Sequence, residues 1–249
     1  MKIFATDFDG TLNNRPIDDV LLSAIRAWQA AGNLFGVVSG RPYASIRDIL
    51  NVNHIPLDFL IANNGAIITD GNGDPICLTP IPPSVAVSLL DRFSGEPHHS
   101  LRIDDPHVFR EYAGIPAYSL TEDGGVRVAD DVWHDITEIT TDYPTYETTL
   151  RETALTEQAL GGAVRGLVNS PLSVDWVAGS VNKSYGIKTL VSHLHVTPDV
   201  IITAGDSLND MAMLIDPDFL GYAVENAMPD VRSRVGRTIA CCLDILKDI

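Results

Sequence analysis

Short apolar runs bounded by turn residues recur along the chain: Ile3-Phe4-Ala5, Leu34-Phe35-Gly36-Val37-Val38, Phe59-Leu60-Ile61-Ala62, Val200-Ile201-Ile202-Thr203-Ala204 and Leu220 to Val224. Each reads as a strand buried on both faces. Helical patterns lie between them. Asp18 or Asp19 caps a predicted helix to about Ala31, with Val20, Leu21, Ile25 and Trp28 as its apolar face and Gly32 closing it. Another helix follows Pro42, and a third runs from Lys183 through Leu190 and Leu194. A helix near Pro229, a strand at Thr238-Ile239-Ala240 and a terminal helix complete the pattern. Strands alternating with helices through short connections predict an α/β, Rossmann-like core: a parallel sheet with helices on both faces.

The pattern changes between Ile81-Pro82-Pro83 and Gly179. A helix from Ser84 to about Phe93 precedes short alternating segments, Leu101-Arg102-Ile103 and His107 to Tyr112. Gly124-Gly125 before Val126-Arg127-Val128 predicts a hairpin, and Pro144 to Leu160 a helix stopped by Gly161-Gly162. Strands follow around Ala163 to Val168 and Leu172 to Val177, where Trp176 reads as core. The expected organisation is a first core part at 1–82, an inserted α+β domain at 83–179 and a second core part at 180–249.

Composition narrows the function classes. A hydrophobic fraction of 45% with 20% charged residues describes a soluble globular chain. No stretch reaches the ~20 apolar residues of a membrane span, and the N-terminus enters a strand without a signal-peptide pattern, so the expected location is the cytoplasm. Acidic residues number 33 against 17 basic, a formal net charge of −16. That balance argues against nucleic acid as a partner, and it means an anionic substrate needs a local positive site. Cys77, Cys241 and Cys242 make neither a disulfide framework nor a metal-spaced set.

The polar chemistry sits where the apolar runs end. The first run leads into Asp7-Phe8-Asp9-Gly10-Thr11-Leu12, the second into Ser39-Gly40-Arg41-Pro42, and the fourth into Gly205-Asp206-Ser207-Leu208-Asn209-Asp210. Each segment also has a plain reading as turn or cap. Pro42 suits a first helical position, so Ser39 and Gly40 precede a helix N-terminus, which is either an anion site or a simple cap. If a helix opens at Asp206, then Asp206 and Asp210 share a face. A parallel sheet delivers its strand ends to one edge. Clustered carboxylates repel unless a cation sits among them, and oxygen ligands without His or Cys favour Mg²⁺. Asn63-Asn64-Gly65 reads as an ordinary turn.

Asp7-Phe8-Asp9-Gly10-Thr11 resembles the first motif of the haloacid-dehalogenase-like hydrolase superfamily. Ser39-Gly40-Arg41 resembles its second motif, Lys183 its third and Gly205-Asp206-Ser207-Leu208-Asn209-Asp210 its fourth. The insertion is similar to the class II cap of the sugar-phosphatase branch, and Asn63-Asn64-Gly65 and Asn226-Ala227 look like turns of that branch. The chain departs from the pattern at Ser184 and Glu225, where glycine is common, and Lys188 is the alternative to Lys183.

The resemblance implies that Asp7 is the nucleophile and Asp9 the general acid and base. It implies that Mg²⁺ is held by Asp7, Asp9 through its carbonyl, Asp206 and Asp210. It also implies that Thr11, Ser39, Gly40, Lys183 and Asn209 serve the substrate phosphate. Insertion residues including His98, His99, Arg102, Asp104, Asp105, His107, Trp133 and His134 are candidate specificity contacts, although surface or packing duty is commoner for any one of them. The expected activity is Mg²⁺-dependent hydrolysis of a small phosphorylated metabolite, with a sugar phosphate as the expected class, through an aspartyl phosphate. A phosphomutase of the same superfamily and a non-catalytic phosphosugar-binding protein are the alternatives. The expected partner is the metabolite alone, with no nucleic acid or membrane, and the chain a monomer or weak homodimer.

Overall fold

The computed structural model describes residues 1–94 and 100–247. In chain order the elements are β1 (Lys2–Thr6), α1 (Asp19–Ala30), β2 (Leu34–Val38), α2 (Tyr43–Val52), β3 (Phe59–Ala62), β4 (Ile67–Asp70) and β5 (Pro75–Leu78). Next come α3 (Pro83–Phe93), β6 (Leu101–Asp104), β7 (Phe109–Tyr112), β8 (Tyr118–Leu120), β9 (Val126–Val128), β10 (Asp131–Trp133), β11 (Glu138–Asp142), α4 (Tyr146–Ala159), β12 (Val164–Ser170) and β13 (Ser173–Ala178). The chain closes with α5 (Lys183–Leu194), β14 (Val200–Gly205), α6 (Met211–Leu214), β15 (Leu220–Val224), α7 (Pro229–Val235), β16 (Thr238–Ile239) and α8 (Leu243–Leu246). Two compact units divide it: residues 1–41, 45–77 and 182–249 form one, and 42–44 with 78–181 the other.

The first unit is built on a sheet of order β16-β15-β14-β1-β2-β3-β4-β5. The pairs from β16 through β3 are parallel, and β4 returns antiparallel beside β3. Strand parity divides the core. Ile3 and Ala5 face a cluster with Ile187 and Leu190 of α5, Met213 and Leu214 of α6 and Val231 of α7. Phe4 points the other way, edge-on to Trp28 of α1 (ring centroids 6.2 Å apart) and to Phe35 of β2 (5.7 Å). Asp18 caps α1 by accepting from the Leu21 N–H at 2.9 Å. Val20, placed on the apolar face by the sequence, is 55% exposed; that face is held by Leu21, Ile25 and Trp28.

The second unit holds an antiparallel sheet of order β12-β13-β11-β6-β7 and a three-stranded sheet β10-β9-β8. One face of the larger sheet, with Leu101, Ile103, Ile139, Val174 and Trp176, packs with Leu89, Leu90 and Phe93 of α3. Its central strand β11 was not anticipated, because Glu138-Ile139-Thr140-Thr141-Asp142 has little apolar content. The polar residues are buried and satisfied instead: Thr141 Oγ1 accepts from Trp176 Nε1 at 2.8 Å.

Residues of opposite parity form a charged cluster. The Arg102 guanidinium donates to Asp104 at 3.1 Å, Glu138 at 3.2 Å and Thr140 at 2.8 Å, and lies 3.8 Å from Asp175. Burial pushes the Asp104 carboxyl up to about 6, against the pull of Arg102. No helix among the described residues is long and apolar enough to cross a membrane, and Cys77, Cys241 and Cys242 are free thiols.

Trp28 is fully buried, and its Nε1 donates to the Leu34 carbonyl at 2.9 Å. Trp28→Ala removes both the ring and that bond, so urea unfolding should show a loss of about 3–5 kcal/mol. A loss below about 1 kcal/mol would mean that α1 is not anchored through this ring.

Candidate active site

The strand ends of the first unit bring the sequence's candidate acids together. The Asp7 N–H donates to the Ala204 carbonyl at 2.9 Å, tying the end of β1 to β14. Asp7 continues the parity of Ile3 and Ala5, towards the side of the sheet packed against α5. Asn182 caps α5, accepting from the Tyr185 N–H at 2.9 Å, so Lys183 is the first helical residue. Its ammonium is fully buried and donates to Asp7 Oδ1 at 2.7 Å and Asp210 Oδ1 at 2.5 Å. Lys188 instead is half-exposed and pairs with Asp216 and Asp218. Ser184 is committed to Asp216 through its hydroxyl.

Asp210 reaches this position by a different route from the one anticipated. The helical segment begins at Leu208, so a shared helix face with Asp206 does not exist. Asp210 Oδ2 accepts from the N–H groups of Asp206 (2.9 Å) and Ser207 (3.0 Å), folding the loop back on itself. Oxygens of Asp7, Asp206 and Asp210 lie within 4.8 Å of one another.

After Asp7 the chain makes a tight turn through Leu12, with Gly10 at φ 75°. A Cβ at Gly10 would stand 2.6 Å from Asp206 Oδ2, so both conformation and space require glycine there. Asn13 accepts from the Gly10 N–H at 2.7 Å, and Asn226 donates to the Gly10 carbonyl at 2.7 Å. The Thr11 hydroxyl, a candidate for phosphate in the sequence, is fully buried and donates to Asp206 at 3.2 Å. Asp9 lies outside the close set of Asp7, Asp206 and Asp210, near enough for its charge to act on Asp206, and is gripped by Arg41.

Ser39 is buried; its N–H donates to Ile61, and its Oγ accepts from the Arg41 N–H at 3.1 Å. A Cβ at Gly40 would lie 2.9 Å from Asn64 Oδ1 and 3.1 Å from Asn209 Nδ2, so this loop passes tightly over two amides. Asn209 donates to Asn64 at 3.3 Å and accepts from Ser207 at 2.7 Å, which ties the loop to the asparagine turn.

Asn63 and Asn64 both adopt positive φ, 47° and 56°. Their N–H groups donate to the carbonyls of Arg41 and Ser39, each at 3.0 Å. Strain at non-glycine residues persists where surrounding bonds hold it. Asn64 and Arg41 are the contributors the sequence reading underweighted, and the doubled asparagine before Gly65 was the available signal.

The insertion's candidates have local duties. Asp105 accepts from the N–H groups of His107 and Val108 in a turn, Trp133 is buried, and His134 is exposed beside Asp123. Arg102 and Asp104 serve the charged cluster of the sheet, and His98 and His99 lie outside the described residues.

Charge is the dominant stress of the site. Burial pushes the Asp7 carboxyl up to about 8, against the attraction of Lys183. Burial, then the charge of Asp210, pushes Asp206 up to about 6. Burial alone would lower the Lys183 ammonium, but the charges of Asp210 and Asp7 outweigh it and hold it above its ordinary value. Three carboxylates thus face one ammonium, and the deficit is for a further cation. Among the described residues the clustered donor set is three carboxylates, and such an all-oxygen set fits Mg²⁺.

A family model described as haloacid dehalogenase-like hydrolase matches residues 4–240. The chain belongs to that family. An HMP-PP phosphatase of Yersinia pestis is 23% identical over 243 residues, covering 94% of this chain and 87% of the relative. A Streptococcus pyogenes protein, whose name pairs a phosphatase with a peptidyl-prolyl cis-trans isomerase, is 24% identical over 90% of this chain. The chain spans 47% of that relative's length. A haloacid dehalogenase-like hydrolase of B. subtilis superposes with a TM-score of 0.81 at 19% identity, covering 100% of both chains. A subclass IIB sugar phosphatase of the same superfamily superposes with a TM-score of 0.75 at 20% identity, covering 100% of this chain and 97% of that one. Both of these likenesses are of fold.

Because Asp7 and Asp206 bind protons more tightly folded than unfolded, their contribution to stability is largest at low pH. It is lost as pH rises from about 4 towards 8. In chelator, the unfolding midpoint of the wild type should therefore fall relative to Asp7→Asn between pH 5 and pH 8. Parallel midpoints for the two proteins would contradict the charge deficit.

Proposed function

We propose that this chain is a phosphatase that hydrolyses a small sugar-like phosphate monoester, requires Mg²⁺ and acts in the cytoplasm. The observation that carries this reading is the group of buried Asp7 and Asp210 with half-buried Asp206, their oxygens within 4.8 Å and Lys183 bridging the two buried ones. Phosphatase and sugar-phosphatase names among the relatives and fold neighbours support the substrate class.

Asp7, Asp206 and Asp210 would hold Mg²⁺ by their carboxylates, and Asp9 by its backbone carbonyl. When bound, the ion neutralises carboxylate charge and the charge on the phosphoryl oxygens. Asp7 is the nucleophile: its free carboxylate oxygen bonds phosphorus and becomes an aspartyl phosphate. Lys183, fixed at Asp7 Oδ1, meets the negative charge that the acidic chain would otherwise repel. Ser39 offers its hydroxyl beside the N-terminal end of α2, while Gly40 and Asn209 shape the floor of the phosphate site. Thr11 holds Asp206. Asp9, half-exposed, donates a proton to the departing alcohol and then takes one from the water that cleaves the intermediate. The inserted α+β unit is the cap of this fold class, and the choice of alcohol is assigned to it.

Phosphate release from a panel of sugar and other small phosphomonoesters tests the reading. Release should require Mg²⁺, disappear with chelator and fall by about a thousand-fold or more in Asp7→Ala. Release that survives Asp7→Ala would remove the covalent route. No release from folded, Mg²⁺-binding wild type would remove the hydrolase reading.

A further inference from the structure

Asp9 is held at both oxygens by one side chain. Arg41 Nε donates to Asp9 Oδ2 at 2.5 Å and Nη2 donates to Oδ1 at 2.8 Å. A two-point grip of this kind fixes the carboxylate plane as well as its position. The pair is open to water, with side chains 40% and 45% exposed, so its worth to folding is small. Orientation is the property the geometry supplies.

The surroundings leave that orientation to Arg41. The backbone after Asp9 is fixed by Asn13 and Asn226, one on each of the two peptide groups that flank the Gly10 Cα. The carboxylate itself is free to turn about its own side-chain bonds, and no other side chain among the described residues bonds it. Arg41 is in turn anchored at its own backbone: its N–H donates to Ser39 Oγ and its carbonyl accepts from the Asn63 N–H at 3.0 Å. The strained asparagine turn therefore fixes the base of the arginine, and the arginine fixes the acid.

We propose that Arg41 is the positioning residue of the general acid, directing one Asp9 oxygen at the leaving alcohol; this rests on the phosphatase reading above. As an Asp7 oxygen bonds phosphorus, the bond from phosphorus to the alcohol oxygen breaks with its electron pair on that oxygen. Asp9, protonated in the reacting complex, passes its proton to that oxygen and is left as the carboxylate that Arg41 grips. Arg41 forms no bond to the reacting atoms in this role.

The leaving group makes the test. An alkyl phosphate needs the proton, whereas p-nitrophenyl phosphate releases an acidic phenol that does not. The value of kcat/KM reports steps through the first phosphoryl transfer, before Asp9 is needed as base. In Arg41→Ala, kcat/KM for the alkyl substrate should fall at least about ten-fold further than for the aryl one. Arg41→Lys keeps a cation without the fork, and the alkyl-to-aryl ratio should remain low. Equal losses on both substrates, no loss, or full recovery of the ratio by lysine would each overturn the proposal.

A ligand-free crystal structure of Arg41→Ala gives an answer independent of turnover. Asp9 should leave its wild-type orientation, and an unmoved carboxylate overturns the proposal. If the wild type hydrolyses nothing, the phosphatase reading fails on that result, while the crystal structure still decides whether Arg41 positions Asp9.

Discussion

The first unit depends on keeping three carboxylates together, two of them out of water and the third half-buried. Like charges at this separation disfavour folding unless each is bonded and the sum is offset. The buried Lys183 ammonium offsets part of it, and its place as the first residue of α5 is fixed by the Asn182 cap. Asp210 contributes in a second way, accepting two backbone N–H groups that turn the loop after β14. The residues that destabilise the fold electrostatically therefore also shape the loop that brings them together.

The same arrangement explains how an acidic protein receives an anion. A net charge of −16 repels phosphate at long range. Attraction is confined to short range, where Lys183 meets Asp7 and Asp210 and Arg41 meets Asp9. Selectivity then belongs to close contact, because nothing in the overall field gathers anions indiscriminately.

Much of the first unit was legible because parallel strands buried on both faces write themselves as apolar runs. Their polar ends stand out against that background. Asp7, Asp206 and Asp210 converge as strand ends of one sheet edge must, with Lys183 brought in by α5. Other features had no such signal. β11 is buried through satisfied polar groups, so its sequence reads as surface. The Asp206 loop closes through a capping box between Ser207 and Asp210, so the helical segment starts at Leu208, two residues later than the shared face of Asp206 and Asp210 requires. The Thr11 hydroxyl reads as a phosphate ligand in the motif, but it donates to Asp206, a residue 195 positions away that no local pattern names. The grip of Arg41 on Asp9 joins two turns whose approach no local pattern encodes.

The position of β1 has a consequence for how the chain is made. It lies between β2, which follows it closely, and β14, which begins at Val200. During synthesis the first strand therefore keeps one side of its backbone unpaired until most of the chain has emerged. Closing so long a loop adds only a slowly growing entropic cost, but pairing across such a separation is slow. An open apolar edge invites pairing with other chains in the meantime. Residues made some two hundred positions later convert β1 from an edge into a centre.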